Sequence, residues 1–393
     1  MRKIRIGLLP RLFIALALGA AIGFYAPEWV MRSMNCFRDS FGQFIKFFVP
    51  FIIIGLVTPA IADTGRSAGR TLLLTMGIAY ASTLFAGYFA YAVSRGVFPL
   101  IMSGGLNKAA AHTFPAYFSI KIPPFMDVTT ALAVAFLVGL GIVSSKAEIL
   151  ERAAQELRTI VSRALGSVFV PLLPFYVLAT MADLTASGRL AQVGGGCLKI
   201  MGVALATTTV ILIVQFTVAG VVARRNPFTA LWTMLPAYLT GWGCCSSAAT
   251  IPYTLAQTRK NGVSEETADL VIPLCSNVHL AGSMANMVVY AAGLAVLAGE
   301  SLPFGAFTEY ILMVSVTAVA SPGVPGGVVL ACAAVAETAL GFSPERYAIM
   351  IAIYMALDGM GTACNLTGDG AIAIGVDQFR RRGKTPSVAA DNG

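Results

Sequence analysis

Long apolar runs set the pattern of this chain. They occupy 8–26, 50–62, 72–93, 200–222 and 284–298, with short polar or glycine-rich stretches between them. A helix needs about 20 apolar residues to cross a bilayer, and each run is that long or a substantial part of one. Short alternating strands, the mark of a membrane barrel, are not seen. The pattern predicts an all-α polytopic membrane protein. The start, MRKIRIGLLP, imitates a signal peptide: basic residues, then an apolar run. The first polar break, Pro27-Glu28, follows a run long enough to span, so the expectation is a retained first span.

Charge decides how the runs are threaded. Only 12% of the 393 residues are charged, against about 25% in a soluble domain. The net charge is +8, gathered in clusters: Arg2-Lys3-Arg5, Arg66 with Arg70, Lys146 to Arg158, Arg224-Arg225, Arg259-Lys260 and Arg380-Arg381-Arg382. The positive-inside rule puts all of them in the cytoplasm. An even number of crossings must then separate each pair. Spans at about 8–26, 41–62, 71–95, 128–145, 160–182 and 197–222 meet that condition for the first four clusters. These clusters are topology determinants and need no nucleic acid to explain them. The seven cysteines show no CxxC and no Cys/His metal spacing.

Two later segments break the rhythm. From 227 to 258 the chain is apolar enough to enter the membrane, yet its middle reads TGWGCCSSAATIP, and a basic cluster follows. A hairpin that enters from the cytoplasm and returns satisfies both facts. The segment 303–341 repeats the form around ASPGVPGG and enters from the other side. Each is followed by a span with a polar interruption, at about 268–298 and 344–379. Irregular backbone at membrane depth must line protein or a water-filled cavity. Paired interrupted segments of this kind point to a transporter site at an inverted-repeat interface.

The last span carries the chemistry. Asp358, Thr362, Asn365 and Asp369 are spaced four, three and four residues apart, so they share one helix face. A charged stripe cannot face lipid, and no base in the same span neutralises it. A cation or a cationic ligand is the natural partner.

The stripe D-x-x-x-T-x-x-N-x-x-G-D, the tips SSAATIP and GVPGG, and the stretch FGQFIKFFVPFIIIGLVTPAIAD occur in order. Together they resemble the dicarboxylate/amino acid:cation symporters, the glutamate-transporter fold, over almost the whole chain. The resemblance implies eight transmembrane helices and two re-entrant helical hairpins, built as inverted repeats. It implies a homotrimer in a bacterial inner membrane, in contact with lipids and with both termini cytoplasmic. Spans 1, 2, 4 and 5 (about 1–70 and 98–190) would form a scaffold. Spans 3, 6, 7 and 8 with both hairpins (about 71–97 and 191–380) would move past it as an elevator, leaving 381–393 as a cytoplasmic tail.

The resemblance also implies residue roles. Asp358 matches the acid that holds the substrate's amino group, and Thr362 and Asn365 match residues on its backbone groups. Ser246, Ser247 and Ala248 match the first hairpin's substrate-facing tip. Gly323 and Val324 fall in the gating tip of the second. Asn365 and Asp369 match ligands of a Na⁺ site, and Asn277 and Ser321 join the cation-binding set. Ser82 and Thr83 match hydroxyls of another sodium site. No cofactor is implied beyond the transported Na⁺ or H⁺.

The departures are as informative. Relatives that carry acidic substrates have an arginine where this chain has Gly361, or one where it has Cys245. A second substrate carboxylate would then be buried unpaired, at high cost. A small neutral amino acid therefore fits better than an acidic amino acid or a dicarboxylate. The family's N-M-D-G-T reads His279-Leu280-Ala281-Gly282-Ser283 here. His279 replaces an amide that binds cation, and imidazole titrates near neutral pH, so a proton could replace a sodium ion.

Other functions were weighed. GRSAG at 65–69 matches a hydrolase nucleophile pattern, but the chain's two histidines, His112 and His279, cannot reach Ser67, so no enzyme is expected. An uncoupled anion channel and a non-transporting receptor are the remaining alternatives.

Overall fold

The computed structural model describes residues 8–66, 70–102, 114–188, 190–321 and 326–383. Within them the protein is all-helical. Helices α1 (Leu8–Tyr25), α2 (Glu28–Arg66), α3 (Arg70–Ile101) and α4 (Val128–Ser145) come first. Then α5 (Glu148–Ala164) runs through a π turn, Leu165–Phe169, into α6 (Val170–Ala186). The charged stretch after 146, whose basic residues form one of the topology-determining clusters, is the amphipathic helix α5. Glu148 and Glu151 sit in its first turn and Arg163 in its last, the arrangement that complements a helix dipole. Likewise α2 begins well before the apolar run expected at 41, because 28–40 continues the same helix.

The long helix α7 (Leu190–Ala223) leads to the first interrupted segment. There α8 (Pro227–Thr233) and α9 (Leu235–Cys244) descend and α10 (Ser247–Lys260) returns. Pro236 lacks the N–H to continue a helix from above, and the break between α8 and α9 falls just before it. The turn is made at Cys245, whose φ of 50° is left-handed. The interrupted span is α11 (Glu265–Val278) and α12 (Ala281–Leu297), broken at His279-Leu280. The second hairpin is α13 (Phe304–Val319), then α14 (Gly327–Ala331) and α15 (Ala333–Leu340). Its tip at 322–325, with Gly323 and Val324, lies outside the described residues, as do Ser67 and His112. Helix α16 (Pro344–Gly383) is continuous through the polar stripe.

Among the described residues five helices are long and apolar enough to cross a membrane, or six if the pair bent by 46° at the π turn counts as one span. The apolar stretches Ile14–Tyr25 and Ala133–Ser145, where spans 1 and 4 were expected, are shorter than a crossing. Large apolar side chains such as Leu137 and Val221 are exposed, as on a surface that meets lipid. This is a membrane protein.

Two packing groups are visible. Helix α1 packs on α6, and α2 on α4, α5 and α6. Helix α12 packs on α3, α7 and α16, while α16 also packs on α7, α9, α10 and α11. Hairpin 2 bridges them, since α13, α14 and α15 touch α2 and α15 touches α4. The segment 114–127 lies over α2, where Asn35 Nδ2 donates to Phe114 O (2.7 Å) and Arg32 stacks on Tyr117. At one end of the molecule three basic clusters meet one turn: Arg225 donates to Asn261 O, Arg381 to Gly262 O (3.0 Å), and Arg259 pairs with Asp269 (2.6 Å). That juxtaposition is what a shared membrane side requires.

Candidate functional site

A small cavity of about 60 Å³ forms where hairpin 1, hairpin 2, the α11–α12 break and α16 converge. Helix geometry puts Asp358, Thr362 and Asn365 on its wall, each at most 6% exposed. The tip of hairpin 1 supplies Cys245, Ser246 and Ser247. It can come this close because Gly359 has no side chain: a Cβ there would stand 2.1 Å from Trp242 O. Asn277 and Ser321 also line the cavity. Gly361 does not line it directly, and the side chain of Ala248 lies outside the described residues.

Among the described residues Asp358 is the only carboxylate of the lining, and no Lys, Arg or His joins it. Its Oδ2 accepts the Gly326 N–H from hairpin 2 at 2.8 Å. The acid thus ties the second hairpin to the cavity. Asn365 plays a further role that the sequence did not disclose. A helix N-terminus leaves its first N–H groups without intrahelical partners. Asn365 Oδ1 accepts from Gly282 N (2.8 Å) and Ser283 N (3.2 Å), and Nδ2 donates to Ser283 Oγ (2.9 Å). It caps α12 from the neighbouring helix. Thr83 steadies the same break, accepting the Leu280 N–H at 3.1 Å.

Behind the cavity sits a second polar cluster, centred on the buried His279 and Asp369. His279 Nδ1 lies 2.9 Å from Asp369 Oδ1 and 3.2 Å from Asn365 O. Its Nε2 lies 3.1 Å from Ser82 Oγ and 3.1 Å from Gln215 Nε2. The imidazole therefore fills the space between Asp369, the Asn365 carbonyl and Ser82. Those are the oxygens expected to serve cations.

Sequence reasoning missed four participants. Ser276, Ser283 and Tyr354 line the cavity, and Gln215 completes the histidine cluster. Signals existed: Tyr354 stands four residues before Asp358, extending the stripe by a turn, and Gln215 is the one amide in the apolar run 200–222.

An all-helical membrane chain whose broken helix and two hairpins meet on one buried carboxylate has the build of a secondary transporter. A family model described as the sodium:dicarboxylate symporter family matches residues 8–379. The chain belongs to that family, which is one of transporters and not of enzymes. It is 25% identical over 344 residues to the serine/threonine transporter SstT of Streptococcus thermophilus, covering 83% of this chain and 84% of that one. With the SstT of Acinetobacter baylyi the identity is 24% over 402 residues, 95% and 98% of the two chains. With the neutral amino acid transporter B(0) of Mus musculus it is 28% over 165 residues, 42% of this chain and 30% of that one.

Proposed function

We propose that the protein is a secondary active symporter that imports a small neutral amino acid, driven by Na⁺, H⁺ or both. One observation carries the substrate class: among the described residues the cavity has a single carboxylate and no basic side chain. An amino acid's ammonium finds Asp358 there. Its carboxylate finds the N-terminus of α10 at Ser246-Ser247, where the helix dipole favours an anion. A second carboxylate would have no cation to meet. The names of the relatives agree with this class.

The architecture we propose is eight spans with two re-entrant hairpins, assembled as a trimer in a bacterial inner membrane, termini inside. Packing of α1, α2, α4, α5 and α6 supports a scaffold. Packing of α3, α7, α9 to α12 and α16 supports a unit that moves against it as an elevator, with hairpin 2 at the sliding surface. The gathering of three basic clusters at one end supports the orientation.

The coupling proposal rests on His279. Na⁺ takes oxygen ligands and avoids a positively polarised N–H. With the imidazole against Asp369 and Asn365 O, sodium has lost room and ligands there. We propose fewer coupled sodium ions than the family pattern implies, and a proton in place of one of them. A substrate screen in proteoliposomes, with Na⁺ and pH gradients imposed separately, tests the reading. Saturable counterflow of small neutral amino acids is the expected result. Unsaturable flux would mean a channel, and tight succinate or glutamate uptake would overturn the substrate class.

Gly361→Arg bears on the same point. A Cβ at 361 would sit 2.9 Å from Asn286 Nδ2, which must move to admit it. The guanidinium would then supply the missing charge. Competition assays are expected to show neutral substrates weakened at least about tenfold, about 1.4 kcal/mol, and acidic ones gaining. No gain for aspartate or glutamate would mean that charge at this position does not set selectivity.

A further inference from the structure

Next to the cavity lies a pair of polar side chains with nothing to bond. Asn286 stands on α12 one turn beyond the cavity-lining Ser283 and is 1% exposed. Neither its Nδ2 nor its Oδ1 has a hydrogen-bond partner among the described residues. The Tyr290 hydroxyl, one turn further and fully buried, has none either. Buried polar groups are ordinarily paired, and an amide left bare in a low-dielectric interior is costly. The Tyr290 ring meets Tyr354 edge-on at 6.2 Å, and Tyr354 lines the cavity beside Asp358. These unpaired groups therefore adjoin the site. Facing them on α16 is Gly361, where even a Cβ would approach Asn286 Nδ2 to 2.9 Å and Ser283 Cα to 3.6 Å. The position that would otherwise cover the amide carries no side chain.

We propose that Asn286, backed by the Tyr290 hydroxyl, is the specificity-determining floor of the side-chain subsite and selects a substrate with a side-chain hydroxyl over one without. This rests on the reading of the cavity as an amino acid site. The chemistry matches in kind. A carboxamide offers one acceptor and two donors, and a hydroxyl both donates and accepts. Serine or threonine would engage both faces of the amide. Alanine would leave it unpaired, and aspartate would bring acceptors and a charge but no donor. Sites built to bond a substrate hydroxyl discriminate strongly against analogues that lack it.

The test uses the purified full-length protein in proteoliposomes, with serine, threonine and alanine competing in counterflow. The parent is expected to favour serine and threonine over alanine by about tenfold. Asn286→Leu should bring that ratio close to one by weakening the hydroxylated substrates, with alanine altered less than about threefold. Because the substitution removes an unpaired amide, the melting temperature without substrate should stay level or rise. Tyr290→Phe, which keeps the ring, should lose part of the preference and serves if the leucine variant does not assemble. An equal loss for all three substrates with a lower melting temperature would make Asn286 a packing residue and overturn the proposal. So would a parent that exchanges alanine as well as serine. A parent that exchanges no amino acid would instead refute the substrate class on which the proposal rests.

Discussion

Asp358→Asn is expected to abolish uptake while leaving the protein assembled. The substitution keeps an oxygen to accept the Gly326 N–H, which Asp358 now takes at 2.8 Å, so hairpin 2 keeps its anchor. What it removes is charge. Asp358 is the sole carboxylate among the described residues of the cavity lining and is 6% exposed. A substrate ammonium entering that space gives up its hydration and has one anion to meet. Removing one partner from a buried, hydrogen-bonded charge pair costs about 2–5 kcal/mol, roughly thirty-fold to several thousand-fold in affinity. The fall should appear in equilibrium binding as well as in flux, since the contact exists before any movement. Thermal unfolding without substrate should change little. Near-normal affinity for the preferred amino acid would remove Asp358 from the site.

The parts of this molecule that periodicity governs were legible in the sequence. The polar stripe on α16, the two hairpins and the break in the span after 268 follow from where polar residues interrupt apolar runs. In a membrane such interruptions need a purpose. Ser246, Ser247, Asn277, Ser321, Asp358, Thr362 and Asn365 line one cavity. Other features depend on the neighbouring helix and left no pattern. Asn365 reads as a ligand in the sequence, yet its side chain caps α12, because only packing shows whose N–H groups it meets. The helix at 148–164 was hidden by its charge: a run of acids and bases looks like a loop when hydropathy is the guide. Asn286 and Tyr290 lie within an apolar run and give no sign that their polar atoms lack partners.

His279→Gln is expected to uncouple uptake from protons. In the protein the imidazole meets Asp369 Oδ1 through Nδ1 and faces Ser82 Oγ and Gln215 Nε2 through Nε2. With a proton on Nδ1 alone, Nε2 accepts from the Gln215 amide, which also donates to Ser82 at 2.9 Å. The Gln215 Oε1 has no partner among the described residues. Half a turn of that amide would put its oxygen on Nε2, and the ring could then donate from both nitrogens as imidazolium, between Asp369 and Gln215. The cluster thus offers a place to the neutral and to the protonated ring, as a proton carrier needs. A glutamine at 279 can still donate to Asp369 but cannot take up a proton. One pH unit across the membrane is worth about 1.4 kcal/mol per proton, about tenfold in accumulation. With Na⁺ absent on both sides, the parent should accumulate substrate about tenfold per pH unit for one coupled proton, and the variant should stop near equality. Uptake by the variant should also lose the pH dependence of the parent. Pairing His279→Asn with Ala281→Asp should move the dependence toward sodium, since it restores an amide and a carboxylate at the break. If the glutamine variant accumulates substrate under a proton gradient as the parent does, with an identical pH profile, His279 is a packed hydrogen-bonding residue and the proton travels elsewhere.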